Sequence, residues 1–217
     1  MPESDTKIVK FGLSRKKRLP CIWVAGMSNF RPYRLDVFLK FRGYKLRRID
    51  TDHVAVSKNG VEFVLLQKYA ALWTNEFADW GKDYKLPFSL AGKTVLDVGA
   101  GCGETILYFA SKGCRNFIAV EPNKECVELL QKNTANNSLN VRIYHDVFRP
   151  SHLREKFDFM KCDCEGGEII LLDQEILQPI ALEVHGVELF KKFRERHFKT
   201  IRKKDNGKEF LYTMRNY

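Results

Sequence analysis

The chain has 217 residues, 44% of them hydrophobic, and carries a net charge of +10 from 37 basic and 27 acidic residues. This length and composition suit one sizeable core with an extension and argue against extended disorder. A basic segment followed by an apolar run is missing at the amino terminus, and no apolar stretch reaches membrane length, so we expect neither a secretory signal nor a membrane partner. The six cysteines form no spaced framework, which predicts reduced thiols and a cytoplasmic protein.

The first part of the chain, residues 1–88, is predicted to form a small β-rich extension and a helix. Alternating apolar residues over 36–41 and 53–56 are typical of strands, and Lys58-Asn59-Gly60 predicts a hairpin turn. Residues 69–84 then have aromatic side chains at helical spacing, a pattern more typical of core packing than of a substrate pocket. We place the domain boundary between residues 88 and 89.

The next segment combines a buried strand over 95–98, a glycine-rich turn and a helix over 104–112, closed by Gly113. Glycines at such a turn let the backbone bend sharply and approach a ligand that a Cβ would block. A dinucleotide fingerprint would require a third glycine at position 104, where the chain has Glu104. The acid before the turn, Asp97, suits a cationic ligand better than a pyrophosphate.

The pattern D-x-G-x-G-x-G resembles the first motif of the S-adenosylmethionine-dependent methyltransferases of the Rossmann-like class. The resemblance implies S-adenosyl-L-methionine as the cofactor, with its methionine part facing the turn. The cofactor-binding residues implied at this motif are Asp97, Gly99, Ala100, Gly101 and Gly103.

Two further acids follow predicted strands. Glu121 lies 20 residues after Gly101, at the end of a strand over 116–120, where a carboxylate can accept both ribose hydroxyls. Pro122 follows it as a further candidate cofactor-binding residue, a helix is predicted over 124–132, and polar residues 133–140 predict a turn. A third strand is predicted over 141–145, ending at Asp146, and the resemblance implies that the acid at this place binds the adenine amino group. Asp146, Val147 and, after the next strand, Asp163 are therefore also candidate cofactor-binding residues.

The fourth strand carries the most specific signal. The run K-x-D-x-E-G-x-E over 161–168, followed by the strand 180–185 with E-x-H at its end, resembles the FkbM-type methyltransferases. An apolar helix is predicted directly after this run. Cys162, Cys164 and Gly167 depart from the usual residues of that motif without removing its acids. The resemblance implies O-methylation of small molecules or sugars.

Asp163, Glu165 and His185 are the candidate catalytic residues. They end adjacent predicted strands, where open α/β sheets bind ligands. Asp163 or Glu165 would orient the acceptor, and His185 would accept its proton. The alternatives are that Asp163 binds only the cofactor or caps a helix, that Glu165 is a helix-terminal acid, and that His185 is structural. The ligands are too few to name a metal, and none is predicted.

Competing chemistries have weaker support. Methyltransferases of exocyclic base amines usually carry N/D-P-P-Y/F at the place where this chain has Asp163-Cys164-Glu165-Gly166. The C-x-C pair Cys162 and Cys164 is interpreted as small packing side chains rather than as a metal site. The basic clusters, which include 15–18, 191–192 and 202–204, would bind RNA if they converged on one face.

We therefore predict an α/β fold, with a Rossmann-like seven-stranded mostly parallel sheet, an antiparallel C-terminal hairpin over 198–214 and the small β-rich N-terminal extension. The favoured function is methyl transfer to an oxygen of a small-molecule or sugar acceptor. The alternatives are an RNA methyltransferase and a non-catalytic cofactor- or RNA-binding module. Nothing in the sequence predicts an oligomeric state.

Overall fold

A computed structural model describes residues 43–58, 61–67, 88–195, 199–205 and 209–215, together with Lys40 and Leu86. Lys40 is helical, in contrast to the strand predicted over 36–41, and the other residues of that strand lie outside the described part of the chain. The helix predicted over 69–84 and the basic cluster 15–18 also lie outside it. Among the described residues, no helix has both the length and the apolar content needed to cross a membrane.

The amino-terminal part of the described chain forms a three-stranded antiparallel sheet. Its strands, in spatial order, are β1 (Lys45–Arg48), β2 (His53–Lys58) and β3 (Val61–Leu66). Lys58 pairs with Val61, which confirms the predicted hairpin between β2 and β3. Residues 54–56 of β2 and 63–66 of β3 are buried without interruption. Because successive side chains of a strand point to opposite faces, both faces of this part of the hairpin are covered.

The remaining strands form a second, larger sheet with the spatial order β6-β5-β4-β7-β8-β10-β9. Strands β4 to β8 run parallel, whereas β10 pairs antiparallel with both β8 and β9. This confirms the predicted α/β fold with a parallel sheet and an antiparallel carboxyl-terminal hairpin. The strands are β4 (Thr94–Val98), β5 (Asn116–Val120), β6 (Asn140–Tyr144), β7 (Phe159–Cys162), β8 (Ile180–His185), β9 (Lys199–Asp205) and β10 (Glu209–Arg215).

Helices connect the parallel strands. They are α1 (Glu104–Ser111), α2 (Lys124–Asn136) and α3 (Val187–Glu195), with 3₁₀ helices at Pro150–Arg154 and Gly167–Asp173. From β4 the chain adds β5 and β6 on one side, and then returns to add β7 and β8 on the other. The strand order therefore reverses between β4 and β7, and ligands of such sheets bind at the carboxyl ends of the strands at this point.

Helix α2 extends to Asn136, about one turn beyond the predicted end at residue 132. Asn133, which was predicted to begin a turn, lies inside the helix. Its side chain is fully buried, and Oδ1 accepts a hydrogen bond of 2.8 Å from the Val64 amide. Its Nδ2 donates to the carbonyls of Val64 and Cys102 at 2.7 and 2.8 Å. The amide thus satisfies backbone groups of β3 and of the glycine-rich turn, so a polar residue is retained inside a packed helix.

The apolar helix predicted after Glu168 is a 3₁₀ helix that begins earlier, at Gly167. Glu168 and Leu171 are its fully buried side chains, at the spacing of three that a 3₁₀ helix places on one face. Ile169, which belongs to the predicted apolar helix, is 50% exposed. The inner face of the helix therefore includes a charged residue, which an apolar pattern does not indicate.

One hydrophobic core joins the small sheet to the parallel sheet. It contains residues of β2 and β3 together with Val95, Phe109 and Phe159, and the last two rings pack edge to face with centroids 5.5 Å apart. The predicted boundary between residues 88 and 89 stays a prediction, although the two sheets bury their apolar faces in common.

Candidate functional site

The glycine-rich turn lies between β4 and α1, at the carboxyl edge of the parallel sheet. The amides of Gly99 and Ala100 both donate to the Val120 carbonyl of β5, at 2.9 and 3.2 Å. Gly99 has a φ of +72°, and a Cβ there would lie 1.8 Å from the Asp163 carbonyl oxygen. The backbone after β7, rather than a ligand as the sequence suggested, therefore requires glycine at this position. Ala100 is buried as a whole residue, backbone included, and its role in cofactor binding stays a prediction.

Asp97 lies beneath this turn, fully buried, in a network that the sequence only partly revealed. Its carboxylate is 3.2 Å from Lys161 Nζ and accepts a hydrogen bond from the Thr105 hydroxyl. Lys161 Nζ also donates to the Gly99 carbonyl at 2.6 Å. Burial raises the pKa of Asp97, and the charge of Lys161 opposes this rise. These contacts stabilise the glycine-rich turn on its buried side. Direct contact of Asp97 with the cofactor stays a prediction.

Glu104, the first residue of α1, is a candidate site residue that sequence reasoning missed. Its carboxylate folds back over Gly101, where a Cβ would lie 2.8 Å from Glu104 Oε1. Among the described residues, no group hydrogen-bonds to Oε2, although that atom is buried. Burial raises the pKa of Glu104 to about 7. A buried carboxylate oxygen without a partner, at this turn, fits the cationic methionine part of S-adenosylmethionine.

The pKa of Glu104 leads to a prediction about cofactor binding. A bound cation favours the ionised carboxylate, so binding releases the proton that Glu104 holds below pH 7. We expect the affinity for S-adenosylmethionine to rise about tenfold between about pH 6 and about pH 8, because the ionised fraction of a carboxyl with a pKa of about 7 rises from roughly one tenth to roughly nine tenths. Calorimetric titration at several pH values measures this. The Glu104→Gln variant should bind S-adenosylmethionine more weakly, and its affinity should no longer rise between about pH 6 and about pH 8. A pH profile unchanged from that of the parent would contradict the role of Glu104 in cofactor binding.

Glu121 ends β5, as predicted, and contacts the same turn. Its Oε2 accepts a hydrogen bond of 2.9 Å from the Gly101 amide, and Oε1 accepts one of 2.9 Å from the Asn123 amide. Each carboxylate oxygen keeps a further lone pair. Acceptance of the two ribose hydroxyls by Glu121 is therefore compatible with these contacts and stays a prediction. Pro122, next to it, is exposed.

Asp146 follows β6 and is held at the surface by Arg149. Its Oδ1 accepts hydrogen bonds from the Val147 amide at 2.8 Å and from Arg149 Nη2 at 2.9 Å. Val147 is 53% exposed, unusually high for an apolar residue beside a strand end. An apolar surface next to a carboxylate is what an adenine ring and its amino group require, and this role of both residues stays a prediction.

The three candidate catalytic residues do come together. One ligand atom from each of Asp163, Glu165 and His185 lies within 4.8 Å of the others. His185 Nε2 is 3.6 Å from Asp163 Oδ1 and 3.7 Å from Glu165 Oε2. Because Asp163 also contacts Gly99 of the glycine-rich turn, this cluster, the carboxylate–imidazole cluster, adjoins the candidate cofactor site.

Glu168 holds the imidazole of this cluster from behind. Its Oε1 is 3.1 Å from His185 Nδ1 and accepts a hydrogen bond of 2.7 Å from the His185 backbone amide. Its Oε2 accepts a hydrogen bond from the Gly166 amide at 2.7 Å. Burial by itself would raise the pKa of Glu168, but the bonds to His185 lower it. The second acid of the E-G-x-E run therefore positions His185, a role that the sequence analysis did not assign.

The neighbours of His185 raise its pKa. The contact with Glu168 raises this pKa to about 9, against the opposing effect of burial and with the help of Asp163 and Glu165. An imidazole that holds its proton cannot accept another one, so the carboxylates of Asp163 and Glu165 are the alternative proton acceptors. The role of His185 as the proton acceptor stays a prediction.

The C-x-C pair lies beside the cluster. Cys162 is fully buried, its Sγ is 3.6 Å from Cys164 Sγ, and burial raises the pKa of Cys162 above the usual range of a thiol. Both sulfurs therefore lie on one side of the chain, as the period of two predicted.

Comparison with known proteins supports the resemblance to methyltransferases that the sequence motifs indicate. Residues 95–187, less than half of the chain, match a family model described as a methyltransferase domain. No curated protein sequence matches the chain.

Three solved structures share the fold. A ribosomal protein L11 methylase from Lactobacillus delbrueckii subsp. bulgaricus is 19% identical over 67% of this chain and 79% of that one, with a TM-score of 0.51. A T. thermophilus 16S rRNA methyltransferase in complex with AdoMet and guanosine is 18% identical over 78% and 52%, with a TM-score of 0.50. A further 16S rRNA methylase is 15% identical over 68% and 66%, with a TM-score of 0.51.

At these sequence identities, similarity to the solved structures establishes only the fold. Evidence on the reaction comes from the family match and from the residues of the glycine-rich turn. The match is to methyltransferase domains in general, so the finer FkbM resemblance stays a prediction. Residues 95–187 match a methyltransferase domain, which supports methyl transfer as the activity of this chain and S-adenosylmethionine as its cofactor.

Proposed function

We propose that this enzyme methylates an oxygen of a small-molecule or sugar acceptor. The observation that carries the proposal is the carboxylate–imidazole cluster at the carboxyl ends of β7 and β8, next to the glycine-rich turn. Asp163 and Glu165 supply oxygen acceptors for a hydroxyl hydrogen. The FkbM-like run that contains these acids supports the same chemistry.

The transfer itself requires an acceptor oxygen in line with the donor methyl group. S-adenosylmethionine supplies an electrophilic methyl on a cationic sulfur. A hydroxyl that forms the new C–O bond must lose its proton, and a carboxylate within hydrogen-bond reach lowers the barrier by removing it. Asp163 is the better placed of the two acids, since its backbone abuts Gly99 while the Glu165 side chain is 87% exposed.

Amine methylation has less support at this site. Enzymes that methylate exocyclic base amines usually present an N/D-P-P-Y/F run after the fourth strand, and this chain has Asp163-Cys164-Glu165-Gly166 there. Two carboxylates and an imidazole suit a hydroxyl, which must be deprotonated, better than an amine that keeps a nucleophilic lone pair.

RNA is the second candidate acceptor, and the charge of +10 favours it. Two of the structural relatives are described as 16S rRNA enzymes, which is compatible with it. Within the described residues, however, Arg47 pairs with Glu62 at 2.9 Å and Lys191 with Glu188 at 2.7 Å. Paired cations attract phosphates less, so we favour the small acceptor.

Incubation with methyl-labelled S-adenosylmethionine tests both candidates. The acceptors are a panel of hydroxylated small molecules and sugars, and, separately, total RNA. We expect label in an alkali-stable ether of the small acceptor. Asp163→Asn should reduce turnover about 100-fold or more, as loss of a proton acceptor does, with cofactor affinity retained. Glu128→Gln, an exposed acid of α2, is the control.

Each other outcome has a defined meaning. Label in nucleosides released from RNA would replace the small acceptor by RNA. Label on nitrogen would contradict the hydroxyl chemistry. Binding of RNA without methyl incorporation into any acceptor would support the non-catalytic module.

A further inference from the structure

The donor atoms of the carboxylate–imidazole cluster face one another across a gap that hydrogen bonds do not fill. The separations of 3.6 and 3.7 Å between His185 Nε2 and the two carboxylates exceed hydrogen-bond distances. Donors bound to one cation at about 2.1 Å lie about 3.0 to 3.7 Å apart, for bond angles between the octahedral and the trigonal. The two separations from His185 Nε2 therefore match those of ligands around an ion, and the two carboxylates lie within 4.8 Å of each other.

The support behind His185 is the arrangement that metal-binding histidines use. An imidazole that binds a cation through Nε2 usually donates its Nδ1 proton to a carboxylate, which fixes the ring and its tautomer. Glu168 is fully buried and holds both Nδ1 and the backbone amide of His185. This directs Nε2 towards Asp163 and Glu165, and not towards the protein interior.

The three candidate metal ligands, Asp163, Glu165 and His185, are not held equally firmly. Asp163 is held by its amide, which donates to the Val98 carbonyl at 3.0 Å, and His185 is held by Glu168. The Glu165 side chain is 87% exposed and is free to adjust its position. Two fixed ligands and one adjustable ligand allow the cluster to close around an ion without moving the sheet.

We propose that Asp163, Glu165 and His185 bind a divalent cation of the Mn²⁺ type at the active site. The imidazole binds through Nε2 and releases the proton of that atom when the cation enters. Together with two carboxylates it forms a mixed nitrogen and oxygen set, which Mn²⁺ and Zn²⁺ accept and which suits Mg²⁺ less well. Three protein ligands leave coordination positions open for an acceptor, as in catalytic metal sites.

This inference rests on the proposed function and narrows its substrate class. A cation at the open positions would coordinate the acceptor hydroxyl, lower its pKa and orient the oxygen, while the released proton passes to a carboxylate or to water. An acceptor with two neighbouring oxygens, such as a vicinal diol, would chelate the ion through both. The enzyme is then selective for such acceptors over isolated hydroxyls.

Binding of Mn²⁺ alone to the full chain tests the site without any acceptor. The protein is first stripped with EDTA, and bound Mn²⁺ is followed by electron paramagnetic resonance. We expect one Mn²⁺ per chain, with an affinity reduced about tenfold or more in Glu165→Gln and in Asp163→Asn. Glu165 is exposed, so its substitution leaves folding intact, and Glu128→Gln on α2 is the matched control.

Two results would overturn the metal site: no saturable Mn²⁺ binding by the stripped protein, or equal affinities in the parent and Glu165→Gln. Methyl transfer in the presence of EDTA separates this failure from that of the proposed function. Full turnover with EDTA would refute the cation and leave O-methylation standing. Failure to transfer methyl to any hydroxyl, with intact Mn²⁺ binding, would refute the proposed acceptor and leave the site.

Discussion

Gly99→Ala is expected to destabilise the protein by about 3–5 kcal/mol, against about 1–2 kcal/mol for Gly92→Ala. The two glycines have nearly the same φ, +72° and +73°, so both substitutions carry the same left-handed backbone strain. They differ in their surroundings. An added Cβ at Gly99 would lie 1.8 Å from the Asp163 carbonyl oxygen, whereas no described atom lies within 4 Å of one at Gly92.

The additional loss at Gly99 comes from displaced backbone. The Asp163 carbonyl can move away only if the end of β7 moves with it, and overpacking of this kind costs about 1–3 kcal/mol or more. Because Asp163 belongs to the carboxylate–imidazole cluster, methyl transfer should fall as well. Urea unfolding of the two variants beside the parent measures the difference. Equal losses at the two glycines would show that only backbone strain matters at the turn.

Lys161→Met is expected to reduce the free energy of unfolding by about 3–5 kcal/mol. Met keeps the length and apolar packing of the side chain but removes the charge, so fully buried Asp97 is left without its cation. Breaking a buried ion pair by removing one partner costs this much, because the remaining charge is poorly solvated. The Gly99 carbonyl also loses its hydrogen bond from Nζ.

An exposed pair supplies the control for Lys161. Lys93 Nζ is 3.1 Å from Asp158 Oδ1, a distance close to that of the buried pair, but both side chains are exposed. Lys93→Met should change stability by less than about 1 kcal/mol, since solvent screens such pairs. Chemical denaturation of both variants decides the matter. Similar losses in the two would mean that burial does not govern the Lys161 pair, and that Asp97 is accessible to solvent or protonated.

The predicted site residues were found by local signals. The glycine-rich turn, with Glu121 at the next strand end, follows from residue types at fixed spacing, because a turn with positive φ and an alternating strand are decided by near neighbours. The same logic placed Asp163, Glu165 and His185 at adjacent strand ends. Parallel strands bring their carboxyl ends to one edge, so proximity of these residues was implied once the strands were recognised.

Local sequence patterns did not reveal which side chains contact these site residues. Lys161 reads as one polar residue in an apolar strand, and only the pairing of β4 with β7 brings it beneath Gly99 and beside Asp97. The sequence analysis gives Glu168 no role of its own, and only its burial and hydrogen bonds show that it holds His185. The raised pKa of His185 follows from this contact, which no local sequence pattern reveals.

Sequence by itself determined the strands β4 to β8, the glycine-rich turn and the acids at the strand ends, because these depend on neighbouring residues. The tertiary structure alone decided which buried polar groups meet. Asn133 and Val64 are 69 residues apart and Asp97 and Lys161 are 64 apart, yet each pair is in direct contact. A buried polar group must find a partner wherever the fold supplies one, and no local pattern records that choice.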